Sequence, residues 1–191
     1  MRLLMKVLLS VAVVIVVTLG ISFLLPTHLL LERSVVLDAK PAQVYSLLSN
    51  PTEWEKWSPV NKSVDPTMIR LFSGPMSGVG AKMQWSGDGV GNGEVELVEA
   101  TANEKIIYTE RDTSNALTIE GAFLLTAAEG NTVIYWSQKA RIEDNPFERL
   151  KGLWLKYKKE NELEEGLLRL KSTFEESNPK KPGRRKLAQA L

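Results

Sequence analysis

The amino-acid sequence predicts an α+β domain in which a curved antiparallel sheet of seven strands wraps round a long C-terminal helical region. Three observations support this prediction: a charge-free apolar run at the N-terminus, a series of short alternating apolar and polar segments, and a helical stretch near the C-terminus. The chain has 191 residues, 43% of them hydrophobic. This length is enough for one ordinary domain with its own core and a separate N-terminal helix.

The N-terminal run predicts a transmembrane helix. Residues 7–25 carry no charge, and 14 of these 19 positions are Val, Leu, Ile or Phe. A helix of this length reaches about 28 Å, close to the hydrocarbon thickness of about 30 Å. The run is longer than the apolar part of a cleaved signal peptide and ends in Phe-Leu-Leu-Pro instead of a small-x-small site, which favours an uncleaved anchor.

Flanking charges predict the orientation of this anchor. Arg2 and Lys6 precede the span, whereas Glu32 and Arg33 cancel after it. The positive-inside rule therefore places the N-terminus inside and the globular domain outside the cytoplasm, in the periplasm if the host is bacterial. The predicted division is an anchor over residues 1–30, a globular domain over 31–177 and a basic disordered tail over 178–191.

The first globular segments predict a strand and two short helices. Residues 31–38 form a run of apolar and β-branched residues that is interrupted by Glu32, Arg33 and Ser34, as in a strand. Pro41 suits the first turn of a helix that should end by Asn50-Pro51. A second short helix carries Trp54 and Trp57 on one face.

Six more strands are predicted from alternating patterns. Met83 and Trp85 alternate with polar neighbours, as expected for a sheet with one dry and one wet face. The connections are short and rich in glycine, which favours an antiparallel meander. The predicted strands are residues 69–72, 81–86, 94–100, 105–110, 117–127 and 132–141.

The last predicted element is helical from Asn145-Pro146 to about Glu176. Its apolar residues lie on two different faces, and a straight helix would bury one of them. We therefore expect a kink, turn or break within residues 158–161. The first face comprises Phe147, Leu150, Trp154 and Tyr157, and the second comprises Leu163, Leu167, Leu170 and Phe174.

Several motifs together resemble the SRPBCC superfamily (START and birch-pollen-allergen-like proteins), in particular its polyketide cyclase/dehydrase and lipid-transport branch. They are Trp54-x-x-Trp57-Ser58-Pro59, Ser73-Gly74-Pro75 with Gly78-Val79-Gly80-Ala81, Trp85-x-Gly87, Gly93 leading to Glu99, Asn103-Glu104-x-Ile106, Gly130-Asn131-Thr132 leading to Trp136, and Gly166-Leu167-x-x-Leu170-Lys171. The resemblance covers about residues 31–175. It implies a helix-grip fold with a cavity for lipids, sterols, polyketides or other apolar ligands between sheet and helix.

Composition excludes several kinds of site. The chain has no cysteine and a single histidine, His28, so thiol nucleophiles, Ser-His-Asp triads and cysteine or histidine metal cages are not expected. The glycine series Gly87, Gly89, Gly91 and Gly93 lacks a following Lys-Ser/Thr and predicts a hairpin turn. No cofactor or metal is predicted.

The aromatic residues are the predicted ligand site. Their simplest interpretation is an apolar core, but the resemblance implies that they face a cavity. The predicted ligand-binding residues are Trp54, Trp57, Met83, Trp85, Tyr108, Phe123, Trp136, Leu150, Leu153, Trp154 and Tyr157.

Three functions remain open at this stage. The first is a membrane-anchored domain that holds or transfers a hydrophobic small molecule without catalysis. The second is a cyclase or dehydrase, which needs an inward acid or base; Glu94, Glu96, Glu110 and Asp112 are weak candidates, and Glu99 would face inward if a bulge follows Leu97. The third is a protein-binding module with a filled core.

The distribution of charge indicates which partners are expected. Residues 31–177 contain 17 basic and 23 acidic residues, a net charge of −6, which disfavours a nucleic-acid partner. The tail has five basic residues and no acid, and solvated disorder is favoured over binding to anionic lipid headgroups.

Overall fold

A computed structural model describes residues 2–113 and 117–177 of the chain. The described residues form three α-helices, one 3-10 helix over Pro51–Lys56 and seven strands. The helices are α1 (Arg2–Ser22), α2 (Pro41–Leu48) and α3 (Pro146–Ser177). The strands are β1 (His28–Leu37), β2 (Ile69–Ser73), β3 (Lys82–Gly87), β4 (Gly91–Thr101), β5 (Lys105–Asp112), β6 (Leu117–Ala128) and β7 (Asn131–Arg141).

The strands form one antiparallel sheet in the order β1-β7-β6-β5-β4-β3-β2. The predicted strands are all present, and their ends differ by at most three residues from the prediction. Burial alternates as expected, with Met83, Trp85, Val95 and Leu97 on the dry face. The helix-grip arrangement implied by the resemblance is confirmed.

Helix α1 is long and apolar enough to span a membrane. Its 21 residues reach about 32 Å, and the side chains along most of its length are exposed. The apolar helix of a signal sequence meets the same criterion of length and composition. The predicted basic tail lies outside the described residues.

Helix α3 is continuous over 32 residues, so the predicted turn or break within residues 158–161 is wrong. The buried side of the helix does not change: Gly152 and Lys159 precede Leu163 and Leu170 on the same face. The second apolar set therefore packs on the sheet, while Phe147, Trp154 and Tyr157 of the first set are exposed on the opposite side.

The carboxylate of Asp65 joins the loop before β2 to the β3–β4 turn. It accepts hydrogen bonds from the Thr67 hydroxyl (2.5 Å) and from the backbone N–H groups of Gly89 (2.7 Å) and Val90 (3.0 Å). The bond from the Thr67 hydroxyl, followed by that from the Val90 N–H, lowers the pKa of Asp65 to about 2. The predicted hairpin turn over the glycine series is therefore held in place by a buried acid.

This pKa makes the Asp65 contribution to stability depend on pH. Because the pKa is lower in the folded than in the unfolded chain, the contribution is complete above the usual value of 3.8 and is lost as the pH falls towards 2. We expect Asp65→Asn to have a lower free energy of unfolding than the wild type at neutral pH. In acid, the difference between the two should disappear. Urea unfolding of the full chain in non-ionic detergent, followed by tryptophan fluorescence at several pH values, measures the difference. Asp88→Asn, in the exposed part of the same turn, is the control; equal pH profiles for Asp65→Asn and wild type would contradict the assignment.

Candidate functional site

Five aromatic side chains fill the space under the centre of the sheet. Neighbouring ring centroids lie between 5.0 and 6.5 Å apart, and most pairs meet edge to face. The rings belong to Trp54 and Trp57 of the 3-10 helix, Tyr108 of β5, Phe123 of β6 and Trp136 of β7. A space of about 30 Å³ remains beside them, which is enough for a water molecule and too small for a lipid. The hollow expected among these rings is therefore occupied by the rings themselves.

Glycines make this packing possible. A Cβ atom at Gly121 would overlap the Tyr108 ring, and one at Gly166 would press on the Trp136 ring. Because glycine has no side chain, the rings approach the backbone of β6 and of α3 closely at these positions.

Polar groups lie at one side of the aromatic cluster. The Tyr108 hydroxyl accepts hydrogen bonds from Trp136 Nε1 (2.8 Å) and Gln138 Nε2 (2.9 Å). Neither bond uses the proton of the phenol. Burial, followed by the nearby charge of Glu110, raises the pKa of Tyr108 above its usual value, so the hydroxyl stays protonated at neutral pH.

A buried ion cluster continues this polar side. Lys159 Nζ of α3 donates to Glu110 Oε1 of β5 (2.5 Å) and to Glu162 Oε2 one turn further along α3 (2.7 Å). Burial alone would lower the pKa of Lys159, but the negative charges of Glu110 and Glu162 outweigh it and raise the pKa. The ammonium is therefore charged and links the helix to the sheet.

An open cleft of about 1100 Å³ lies on the other side of this ion cluster, between the first half of α3 and the adjoining ends of β4 to β7. Its apolar walls include Val60, Trp85, Ile119, Ile142, Trp154 and Leu155. Val60, Trp85, Glu110 and Glu162 line both the cleft and the small space beside the aromatic rings, so the polar cluster forms the inner wall of the cleft.

The structure separates the predicted ligand-binding residues into an interior set and an outer set on α3, and the cleft touches one member of each. Trp54, Trp57, Tyr108, Phe123 and Trp136 are interlocked in the core, while Met83 and Trp85 border the small space. Trp85 and Trp154 line the cleft. Leu150 is half-buried, and Leu153, Trp154 and Tyr157 are exposed on the side of α3 that faces away from the sheet, so these four do not join the interior set as expected. Ligand binding by any of the eleven stays a prediction.

The candidate acid Glu99 does not face the interior. A bulge does follow Leu97, but the Glu99 side chain is 46% exposed and pairs with Lys105 (2.5 Å). Glu94 and Glu96 pair with Arg111 and Lys82 on the wet face. Glu110 and Asp112 of the predicted acidic set line the cleft, and Glu110 also borders the small space beside the aromatic rings. Alternation with Ile106 and Tyr108 could have singled out Glu110.

Three polar residues of the site were missed from the sequence. Gln138 alternates with Ile134 and Trp136, which places it on the dry face. Lys159 falls within the predicted break at residues 158–161, whereas it lies on the buried face of a continuous helix, and Glu162 was not singled out. Within residues 2–113 and 117–177, no group of three His, Cys, Asp or Glu side chains is placed to hold a metal ion.

Comparison with known families identifies the relationship. The sequence model described as "Polyketide cyclase / dehydrase and lipid transport" matches residues 28–175. The chain belongs to this family. A comparison with curated proteins gives no match.

Solved structures support the family fold. A solution structure from Thermobifida fusca superposes with a TM-score of 0.58 at 16% identity, covering 77% of this chain and 93% of the other. The Aha1 dimer from Colwellia psychrerythraea gives 0.56 at 17% identity, with 77% and 96% covered. A protein from Mesorhizobium loti gives 0.56 at 16% identity, with 78% and 98% covered. At 16–17% identity, these similarities show that the chain shares its fold with the three proteins.

The ion cluster predicts a specific stability defect. Lys159→Met should lower the free energy of unfolding by about 3 kcal/mol, because Glu110 and Glu162 would then face each other with no cation between them. The exposed Lys156→Met on the same helix is the control and should change stability little. Adding Glu110→Gln to Lys159→Met should recover part of the loss. Denaturant titration of the full chain tests this, and a loss equal to that of Lys156→Met would refute the role of the cluster.

Proposed function

We propose that this family member is a membrane-anchored domain that holds or transfers a hydrophobic small molecule carrying one polar group, such as a lipid, a sterol or a polyketide-like compound. The observation that carries the proposal is the cleft of about 1100 Å³, whose lining combines apolar side chains with charged ones and with a buried polar inner wall. Binding in this cleft needs no catalytic residue.

The size and walls of the cleft suit such a ligand. Small-molecule sites usually measure about 300 to 1000 Å³ and are mostly apolar with a few polar groups. Val60, Ile119 and Leu155 offer an apolar surface on which each buried methylene of a ligand would contribute about 0.8 kcal/mol. The apolar part of a ligand would therefore contribute affinity here, while its polar group meets the charged side chains that complete the lining.

The polar inner wall has unused hydrogen-bonding capacity. Within the described part of the chain, the buried atoms Trp57 Nε1 and Gln138 Oε1 have no hydrogen-bond partner. Both residues line the small space beside the cleft, together with the Tyr108 hydroxyl. Because a buried polar atom without a partner costs about 1 to 3 kcal/mol, a hydroxyl or carbonyl group of a ligand placed here would be favoured.

Helix α1 supports a location at the membrane. Its length and composition suit a single span, and the flanking Arg2 and Lys6 support an inside N-terminus with the domain outside the cytoplasm, in the periplasm if the host is bacterial. The partners are then a hydrophobic ligand and the bilayer, with no nucleic acid.

A variant that blocks the cleft tests the binding site. Leu155 is half-buried in the cleft wall, and Leu155→Trp should reduce uptake of the ligand at least about 10-fold, or about 1.4 kcal/mol, by occupying its space. Leu168→Trp, on the exposed side of the same helix, is the matched control and should bind as the wild type.

The measurement uses the full chain in amphipol, with mass spectrometry of co-purifying molecules and uptake of a panel of fatty acids, sterols and aromatic polyketides. Binding that is equal in the two variants would place the site elsewhere. No co-purifying molecule and no uptake from the panel would contradict the proposed function itself.

Catalysis is the second candidate function, and the buried Tyr108 hydroxyl beside Glu110 favours it. The phenol lines the small space behind the inner wall of the cleft, so a polar group of a polyketide-like chain that reaches this space would meet a proton donor for dehydration or aldol closure. If the domain is a carrier, a bound compound is recovered with unchanged mass, and Tyr108→Phe weakens its binding by about 1 kcal/mol through loss of one hydrogen bond. If it is an enzyme, the wild type yields a dehydrated or cyclised product and Tyr108→Phe loses turnover with little change in binding. Liquid chromatography with mass spectrometry of the extracted ligand separates the two.

A further inference from the structure

The first half of α3 exposes an apolar stripe on the side that faces away from the sheet. Phe147, Trp154 and Tyr157 are each about two-thirds exposed, and Leu153 is about half exposed. We call these four residues, together with the half-buried Leu150, the outer stripe. It lies opposite the buried face that Lys159 and Leu163 define, so none of the sheet covers it.

The outer stripe begins next to the end of α1. Arg149 donates through Nη1 to the carbonyl oxygens of Phe23 and of Leu25, the latter at 2.9 Å, and its guanidinium stacks over the Phe23 ring. The N–H of Ile142, just before α3, donates to the Thr27 carbonyl oxygen (2.8 Å). If α1 spans a bilayer, residues 22–25 lie at its surface, and these contacts hold the first turn of α3 at the same level.

The two halves of α3 also differ in charge. Residues 147–161 contain five basic and two acidic residues, whereas residues 162–177 contain two basic and five acidic ones. Lys151, Lys156 and Lys158 are exposed in the first half, and Lys158 Nζ lies 5.6 Å from the centre of the Trp154 ring. An aromatic stripe flanked by lysines is typical of a helix that lies in the interface of an anionic membrane.

We propose that the outer stripe lies in the headgroup region of an anionic lipid bilayer, and that α3 is inclined to the membrane so that its acidic second half leads away from the surface. This inference rests on the proposed anchoring by α1. Trp154, Lys151 and Lys158 also line the cleft, so its mouth opens at the lipid surface. A ligand with a polar group can then pass between bilayer and cleft without crossing bulk water.

The absence of cysteine from the chain allows a direct test by single spin labels. Tyr157→Cys and Leu168→Cys are matched positions, because Tyr157 is 66% and Leu168 64% exposed on the same continuous helix. They lie about 16 Å apart along the helix axis. Each labelled full chain is reconstituted into vesicles of phosphatidylcholine and phosphatidylglycerol, and collision with oxygen and with a water-soluble nickel chelate is measured by power-saturation electron paramagnetic resonance.

The expected result is a ratio of oxygen to nickel collisions that is several-fold higher at position 157 than at position 168. Equal, water-like ratios at the two positions would overturn the proposal. Low collision rates with both reagents at position 157 would also overturn it, because a second copy or another protein would then cover the stripe.

A third label distinguishes this failure from failure of the anchor. Val13→Cys places a label on the exposed surface of α1. A bilayer signal at position 13 with a water-like signal at position 157 would refute the membrane contact of α3 and leave the anchor intact. A water-like signal at position 13 would refute the anchor on which the proposed function depends. Leu153→Cys repeats the measurement at a second position of the outer stripe, where a bilayer-like ratio is again expected.

Discussion

The ion pairs of Lys159 with Glu110 and Glu162 determine how α3 lies on the sheet. A charged ammonium group on the buried side of a helix is stable only if carboxylates meet it, and Glu110 of β5 is in that position. The contact therefore fixes the rotation of α3 about its own axis. With Lys159 turned inward, Leu163 and Leu170 must pack on the sheet, and the aromatic residues of the first half must face outward.

This rotation also decides where a ligand has room. The second half of α3 closes over the aromatic core, in which Trp57 and Phe123 stack edge to face and leave almost no free volume. The first half presents Gly152, which has no side chain, and the charged Lys159 to the sheet. The cleft remains open there. The ion cluster is thus both the attachment of the helix and the inner wall of the cleft.

The membrane-facing end of the domain is consistent with this arrangement. Arg149 binds the backbone at the end of α1, so the start of α3, the mouth of the cleft and the apolar helix lie in one region of the molecule. A binding domain whose opening lies beside its own anchor would exchange ligand with the bilayer over a short distance. The proposed function concerns the cleft on the inner side of the first half of α3, and the proposed membrane contact concerns the outer stripe of the same segment.

Much of the fold could be predicted from the sequence, because strand alternation, turn residues and an uncharged apolar run are local signals. The strands, the apolar helix and the family resemblance all follow from such patterns, and the dry positions of Met83 and Val95 were predicted correctly. The pairing of β1 with β7 joins distant parts of the chain and was not predicted from these local signals. The candidate site was less predictable. Periodicity shows which residues share a face but not which of two apolar faces of α3 is buried, since that depends on Glu110 across the fold. Likewise, residue types show that Trp57, Phe123 and Trp136 are aromatic, whereas the volume left between them depends on ring orientations and on close approaches at Gly121 and Gly166. Local pattern thus determined the elements and their wet and dry sides, and long-range packing decided where the cleft lies and which aromatic residues remain outside the core.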